Sequence, residues 1–273
     1  MTPIEPILVI GASNIDVKGR SLYPPILGNS NPGEVYITPG GVGRNVASTL
    51  VTLGAVVRFI TSFSNDEWGL RIRASLDKPD LDVVSIDKGY TGTYVGVLDD
   101  HGKTIVGVAG KNPIYEVSVE EIKSYLATER VWVFDTNMNR DTLFALVDEA
   151  HSRGVYTVLV PASPHKFRSV VDIIEKVNMA VLNKKETSFL GDKKPKDILI
   201  STTHSYVSVW AGGNVHTVHF EPIGSYVDDT GAGDTFSAAL IYHYLVMRMD
   251  IVESVKMSLD YAKMSLESYS SDI

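Results

Sequence analysis

The chain of 273 residues contains no cysteine. Disulfides, thiolate nucleophiles and cysteine-ligated metals are therefore excluded together, and any chemistry falls to carboxylates, amides, hydroxyls, imidazoles or lysines. No apolar run approaches the ~18 residues needed to cross a bilayer. Met1 is followed by Thr-Pro-Ile-Glu-Pro, with neither a basic stretch nor an apolar one, so no secretory signal is read and a cytoplasmic location is expected. Positive charge is in deficit: 25 Lys and Arg face 33 Asp and Glu, a formal net charge of −8. A nucleic-acid binder carries a basic footprint, so no nucleic acid and no membrane is expected as partner. An anionic ligand would have to be held locally, by backbone amides or a metal.

What is present reads as α/β. Ile7–Ile10 is a short apolar run ending at Gly11, the pattern of a buried strand. Val46, Leu50 and Leu53 recur at helical spacing before Gly54, a suitable helix terminator. From there strands are expected at 56–60, 131–134, 156–160, 179–182 and 198–201. Helices are expected at 67–76, 140–153, 167–176, 184–190, 234–247 and 251–268, with Ser118 and Glu121 capping another that runs to about Leu126. Hairpins are expected at 94–98 with 104–108 and at 207–210 with 215–220. Such alternation implies a Rossmann-like central, mostly parallel sheet with helices on both faces. Two segments, about 18–38 and 92–109, break the alternation and are expected to form a small β-sheet lid on one domain spanning 1–273.

Four local patterns carry chemistry. In Asp228-Asp229-Thr230-Gly231-Ala232-Gly233-Asp234, small residues precede a helix whose free N–H groups suit a developing anion. Asp234 in the first turn can accept a proton from a hydroxyl, or simply cap the helix. Pro39-Gly40-Gly41-Val42-Gly43-Arg44-Asn45 precedes another helix; its glycines let a ligand lie against the backbone, and Asn45 can serve vicinal hydroxyls, though a plain glycine turn reads as well. Asn14 and Asp16 follow the first strand, where α/β sheets bind ligands, or they form an Asx turn. Asn183 and Glu186 sit where a carboxylate can position a metal-bound phosphate, or merely start a helix.

Taken in order along nearly the whole chain, these patterns resemble the ribokinase-like (PfkB) carbohydrate kinases. The resemblance implies the ribokinase fold, with Asp234 as catalytic base and Gly231, Ala232 and Gly233 as anion hole. It assigns Asn14, Asp16, Gly41, Gly43, Asn45 and Thr93 to the substrate and Asn183, Glu186 and Thr202 to nucleotide and phosphate. Glu186 would meet Mg2+ through water, and Asp228 would serve a monovalent cation such as K+. Within the family, Gly41-Val42-Gly43-Arg44-Asn45 with Thr91-Gly92-Thr93-Tyr94 looks most like pseudouridine kinases, implying ATP-dependent phosphorylation of a nucleoside 5′-hydroxyl, most of all that of pseudouridine, and a homodimer contact through the lid. Where the family pattern has Thr-x-Gly, this chain has Thr202-Thr203-His204-Ser205, without glycine. Ribokinase or another nucleoside or sugar kinase is the neighbouring alternative. A catalytically weak nucleoside-binding protein is an alternative of another class; a dinucleotide oxidoreductase fits poorly, because Gly11-Ala12-Ser13-Asn14 lacks a second glycine.

Overall fold

The structure is a computed structural model describing residues 6–222 and 231–266. In chain order its strands are β1 (Ile7–Ile10), β2 (Asn14–Ser21), β3 (Gly33–Gly40), β4 (Val57–Thr61), β5 (Leu81–Ser85), β6 (Gly92–Leu98) and β7 (Thr104–Ala109). They continue as β8 (Val131–Phe134), β9 (Tyr156–Leu159), β10 (Met179–Asn183), β11 (Ile198–Thr202), β12 (Tyr206–Ala211) and β13 (Asn214–His219). The helices are α1 (Val42–Thr52), α2 (Glu67–Ser75), α3 (Val119–Lys123), α4 (Arg140–Ser152), α5 (Pro164–Ser169), α6 (Lys184–Thr187), α7 (Ala232–Ile241) and α8 (Ile251–Leu266).

The main sheet runs β13-β12-β11-β10-β9-β8-β1-β4-β5, parallel from β11 to β5 and antiparallel only where β12 and β13 are added. Because side chains alternate along a strand, β1 feeds two cores. Ile7 and Val9 pack in one with residues of α1, α7 and α8; Leu8 and Ile10 pack in the other with residues of α4 and α5. Trp132 is fully buried in the second core, whereas Trp68 and Trp210 pack at the edges of the two cores. The strand order reverses at β1, which pairs with β4 on one side and β8 on the other. That reversal opens a crevice at the carboxyl ends of the strands.

The second sheet, β3-β2-β6-β7, begins at Asn14, before the turn-rich stretch that hints at it in the sequence. Its register puts Asp16, Thr38, Tyr94 and Ala109 on one face and Val17, Ile37, Val95 and Val108 on the other. Several elements differ from expectation. Strand β5 lies outside every expected element, since Leu81-Asp82-Val83-Val84-Ser85 is too short and mixed to show a period. The helix expected at 167–176 is two pieces, α5 and a 3-10 turn at Val171–Glu175. The helix after Ser118 stops at Lys123, and α7 gives way at Tyr242–Val246 to a π-helical turn. The end of the last expected helix, 267–268, lies outside the described residues.

Helix α1 meets the end of β1 through bare backbone: a Cβ on Gly43 would fall 2.7 Å from the Cα and carbonyl carbon of Gly11. Such a contact cannot be relieved by a side-chain rotation. Gly43→Ala is expected to cost about 1–3 kcal/mol, read as a lowered Tm in thermal denaturation. Gly233→Ala, whose Cβ meets nothing within 4 Å, serves as the control and is expected to cause no loss.

Candidate active site

A cleft of about 510 Å³ lies between the lid and the carboxyl ends of the parallel strands. Asn14, Asp16 and Thr93 line it from the lid, Gly41 and Asn45 from the start of α1, and Gly231, Gly233 and Asp234 from the start of α7. Asn183, Glu186 and Thr202 line it from the ends of β10 and β11 and from α6. Residues spread over the chain thus share one cavity. Gly43 stands beneath it against Gly11, and Ala232 is the first residue of α7 rather than a lining residue. Asp228 lies outside the described residues.

The lid wall is built around Asp16. Its carboxylate accepts from Asn14 Nδ2 at 2.5 Å and faces Lys18 Nζ at 3.3 Å. Gly40 lies against it so closely that a Cβ there would sit 2.5 Å from Asp16 Oδ1. Neither Asn14 nor Asp16 belongs to an Asx turn; both are strand residues.

Asp234 occupies the third position of α7, after Gly231, whose φ of 88° is a conformation glycine adopts without strain. Its one hydrogen bond among the described residues is from Asn45 Nδ2 at 2.8 Å, not from a helix amide, so it is not a cap. Asn45 Oδ1 in turn accepts from the buried Arg44 guanidinium at 3.2 Å. A guanidinium only donates, so it must meet Asn45 Oδ1, which leaves Nδ2 to donate to Asp234 and gives the Asn45 amide a single consistent orientation. Burial pushes the Asp234 carboxyl up to about 7, helped by the nearby charges of Asp135 and Asp16 and opposed by the Asn45 hydrogen bond.

Asn183 and Glu186 form a capping box at the start of α6. Asn183 Oδ1 accepts from the Glu186 N–H at 3.0 Å, and Glu186 Oε2 accepts from the Asn183 N–H at 2.8 Å. The helix-start role is therefore real, but it engages only one carboxylate oxygen. Glu186 is 3% exposed and still borders the cleft; burial raises its carboxyl to about 7, with the Asp234 charge adding to the rise. No cluster of three or more His, Asp or Glu able to hold a metal exists among the described residues. The donor set fits Mg2+ of the kind held by one or two carboxylates, water and substrate phosphates, not by a protein cage. At 202–205 no residue takes a positive φ, so this turn closes without the glycine of the family pattern, through Thr203 Oγ1 donating to the Tyr206 carbonyl at 2.7 Å.

Sequence reasoning missed the carboxylate beneath the cleft. Asp135, 2% exposed, accepts from the N–H of Ala12 at 2.8 Å, of Gly43 at 3.2 Å and of Asn137 at 2.8 Å, and from Asn137 Nδ2 at 2.9 Å. Burial raises its carboxyl against the pull of those donors. Its position directly after the apolar β8 was the available signal, the same strand-end logic that singles out Asp16. Asn112, Asn137, Lys18 and Lys166 also line the cleft without a motif to announce them.

The sequence profile of the pfkB family carbohydrate kinases matches residues 5–273. The pseudouridine kinase of Escherichia coli is 26% identical, the match covering 95% of this chain and 90% of that one. An ATP-dependent ribose-1-phosphate kinase of Halopiger xanaduensis is 27% identical over 88% of this chain and 84% of its own. Ribokinase of Cryptococcus neoformans in complex with ADP shares the fold with a TM-score of 0.80, at 18% identity over 98% of this chain and 96% of that one.

The raised carboxyls make stability depend on pH. Asp234 and Glu186 keep their protons to about pH 7 when folded, against ordinary values of 3.8 and 4.5. The folded chain thus binds more protons than the unfolded one in that window, and stability falls as pH rises through it. Asp234→Asn removes one such titration and is expected to raise Tm over wild type by roughly 2–4 °C at pH 8 and by less at pH 5. Equal effects at both pH values in calorimetric melts would contradict the assignment.

Proposed function

Since the chain belongs to the pfkB family of carbohydrate kinases, we propose that it transfers the γ-phosphoryl group of ATP to the 5′-hydroxyl of a ribonucleoside, pseudouridine, giving pseudouridine 5′-phosphate. The observation that carries the reading is the Asn45–Asp234 pair at the helix start, in one cleft with Asp16 and Glu186. Likeness to the E. coli pseudouridine kinase and to that branch's glycine and Thr-Gly-Thr-Tyr segments supports the choice of substrate.

Asp16 and Asn14 hold the ribose hydroxyls against the lid, with Thr93 and the backbone at Gly41 completing that wall. Asn45 aims Asp234, which in its ionised form takes the proton of the 5′-hydroxyl as that oxygen attacks. The amides at the start of α7, at Gly231, Ala232 and Gly233, stabilise negative charge on the transferred group. Asn183, Thr202 and Glu186 face the donor phosphates. Glu186 would hold Mg2+ through water, and the ion supplies neutralisation of phosphate charge when bound. The monovalent-cation role of Asp228 belongs to the same reading.

A homodimer through the lid is part of the proposal. Val95, Val106 and Val108 are 47%, 52% and 59% exposed on the face turned away from Asp16, next to Val35 and Val97. A contiguous apolar face of this kind suits a second copy of itself. Val106→Glu is expected to give monomers in sedimentation velocity where wild type gives dimers.

Asp234→Asn is expected to lower kcat by about 10²–10⁴ while calorimetric affinity for the nucleoside changes only a few-fold. In wild type, kcat/KM is expected to rise with pH up to about 7, because only the ionised carboxylate accepts the proton. Near-normal turnover by the variant would remove the base role. Competing pseudouridine, uridine and ribose in one ATP assay tests the substrate.

A further inference from the structure

Lys166 reaches the cleft from α5, on the side of the main sheet opposite α1 and α7. Its ammonium donates to Asn137 Oδ1. Asn137 Nδ2 donates onward to Asp135 Oδ2 at 2.9 Å, the same oxygen that receives the Ala12 N–H. The lysine therefore stands on a buried relay rather than on a flexible surface.

Two features point to a ligand. The ammonium's hydrogen-bond partner is a neutral amide; Asp135 feels its charge from beyond Asn137, but among the described residues no carboxylate forms a direct ion pair with it. An ammonium carries three N–H donors, so the contact to Asn137 leaves donor capacity at the cleft. The relay also settles which half of the cleft is served. Strand β9 lies between β10, whose end carries Asn183 on the phosphate side, and β8, whose end carries Asp135 and Asn137. The hydrogen bond to Asn137 draws the ammonium toward β8 and β1, the half that holds Asp16.

We propose that Lys166, held by Asn137, is the specificity-determining contact for the group a ribosyl substrate carries at C1′, donating to a carbonyl or phosphoryl oxygen of that group. This rests on the ribosyl-kinase reading. With the ribose hydroxyls at Asp16 and the 5′-hydroxyl at Asp234, the remaining end of the sugar is the one bearing the C1′ substituent. Free ribose offers only its anomeric hydroxyl there, a poorer acceptor for an ammonium than a carbonyl or phosphoryl oxygen. The oxygen could belong to the carbonyls of a uracil-like base or to a 1-phosphate, and the same chemistry reads both.

The test compares wild type, Lys166→Met and Lys166→Arg in steady-state assays with pseudouridine, ribose 1-phosphate and ribose, and with ATP varied. The expected result for Lys166→Met is a fall of about tenfold in kcat/KM for the oxygen-bearing substrate relative to ribose, carried by KM with kcat little changed. Lys166→Arg should recover most of it, which separates lost charge from lost packing. A fall confined to pseudouridine identifies the base carbonyl as the source, and one confined to ribose 1-phosphate identifies the phosphate. A raised KM for ATP, or equal losses for ribose and the substituted substrates, overturns the proposal. If wild type phosphorylates none of the three, the ribosyl-kinase reading itself fails, visibly in wild type before any variant is compared, and the subsite falls with it.

Discussion

One buried carboxylate holds the site together. Asp135 accepts N–H groups from the end of β1, from the first turn of α1 and from its own strand end, so three segments that the chain reaches at very different points meet at two oxygens. An unpaired backbone N–H in such a place costs about as much as a lost hydrogen bond, and an unpaired carboxylate more. Each group is therefore satisfied only in the presence of the others. Because Gly43 and Gly11 carry no side chains, α1 can come close enough to the strand end to join this cluster, and Asn45 is delivered to Asp234 as a consequence.

The electrostatics of the cleft follow from collecting acids. Asp16, Asp135, Glu186 and Asp234 share a limited volume, and mutual repulsion adds to burial in raising Asp234 and Glu186. A carboxyl held near 7 is a better proton acceptor than an ordinary exposed one and still ionises at neutral pH. The same crowding would oppose an anionic donor such as ATP, which is why the amides at the start of α7 matter to the balance.

Much of the scaffold was legible from local pattern. The Ile7–Ile10 strand, the helix before Gly54 and the capping box at Ser118 rest on periodicity and end signals that act within a few residues. The failures have local causes too. Strand β5 is an edge strand with mixed burial and no clean period, and the break inside 167–176 and the π turn after Ile241 reflect packing against neighbours that no window of sequence contains. Among site residues, those in glycine-rich or family-like motifs could be found. Asn137 and Lys166 could not, since a single amide or lysine in ordinary surroundings carries no signal until its partners are placed, and Asp135 was marked only by its place directly after an apolar strand.

By itself, then, the sequence determined the alternation of strands and helices, the turns that require glycine and the identity of Asp16, Asn45, Glu186 and Asp234 as candidates, because each depends on residue type and short-range spacing. Whether Asp234 caps a helix or faces a cleft was decided only by tertiary structure. The Asn45 amide that engages it comes from 189 residues earlier in the chain, and the burial that raises its carboxyl exists only once α1, α7 and the lid strands have assembled around it. Hydrogen bonding and desolvation act through space, so charge state and role are properties of the folded neighbourhood rather than of the motif.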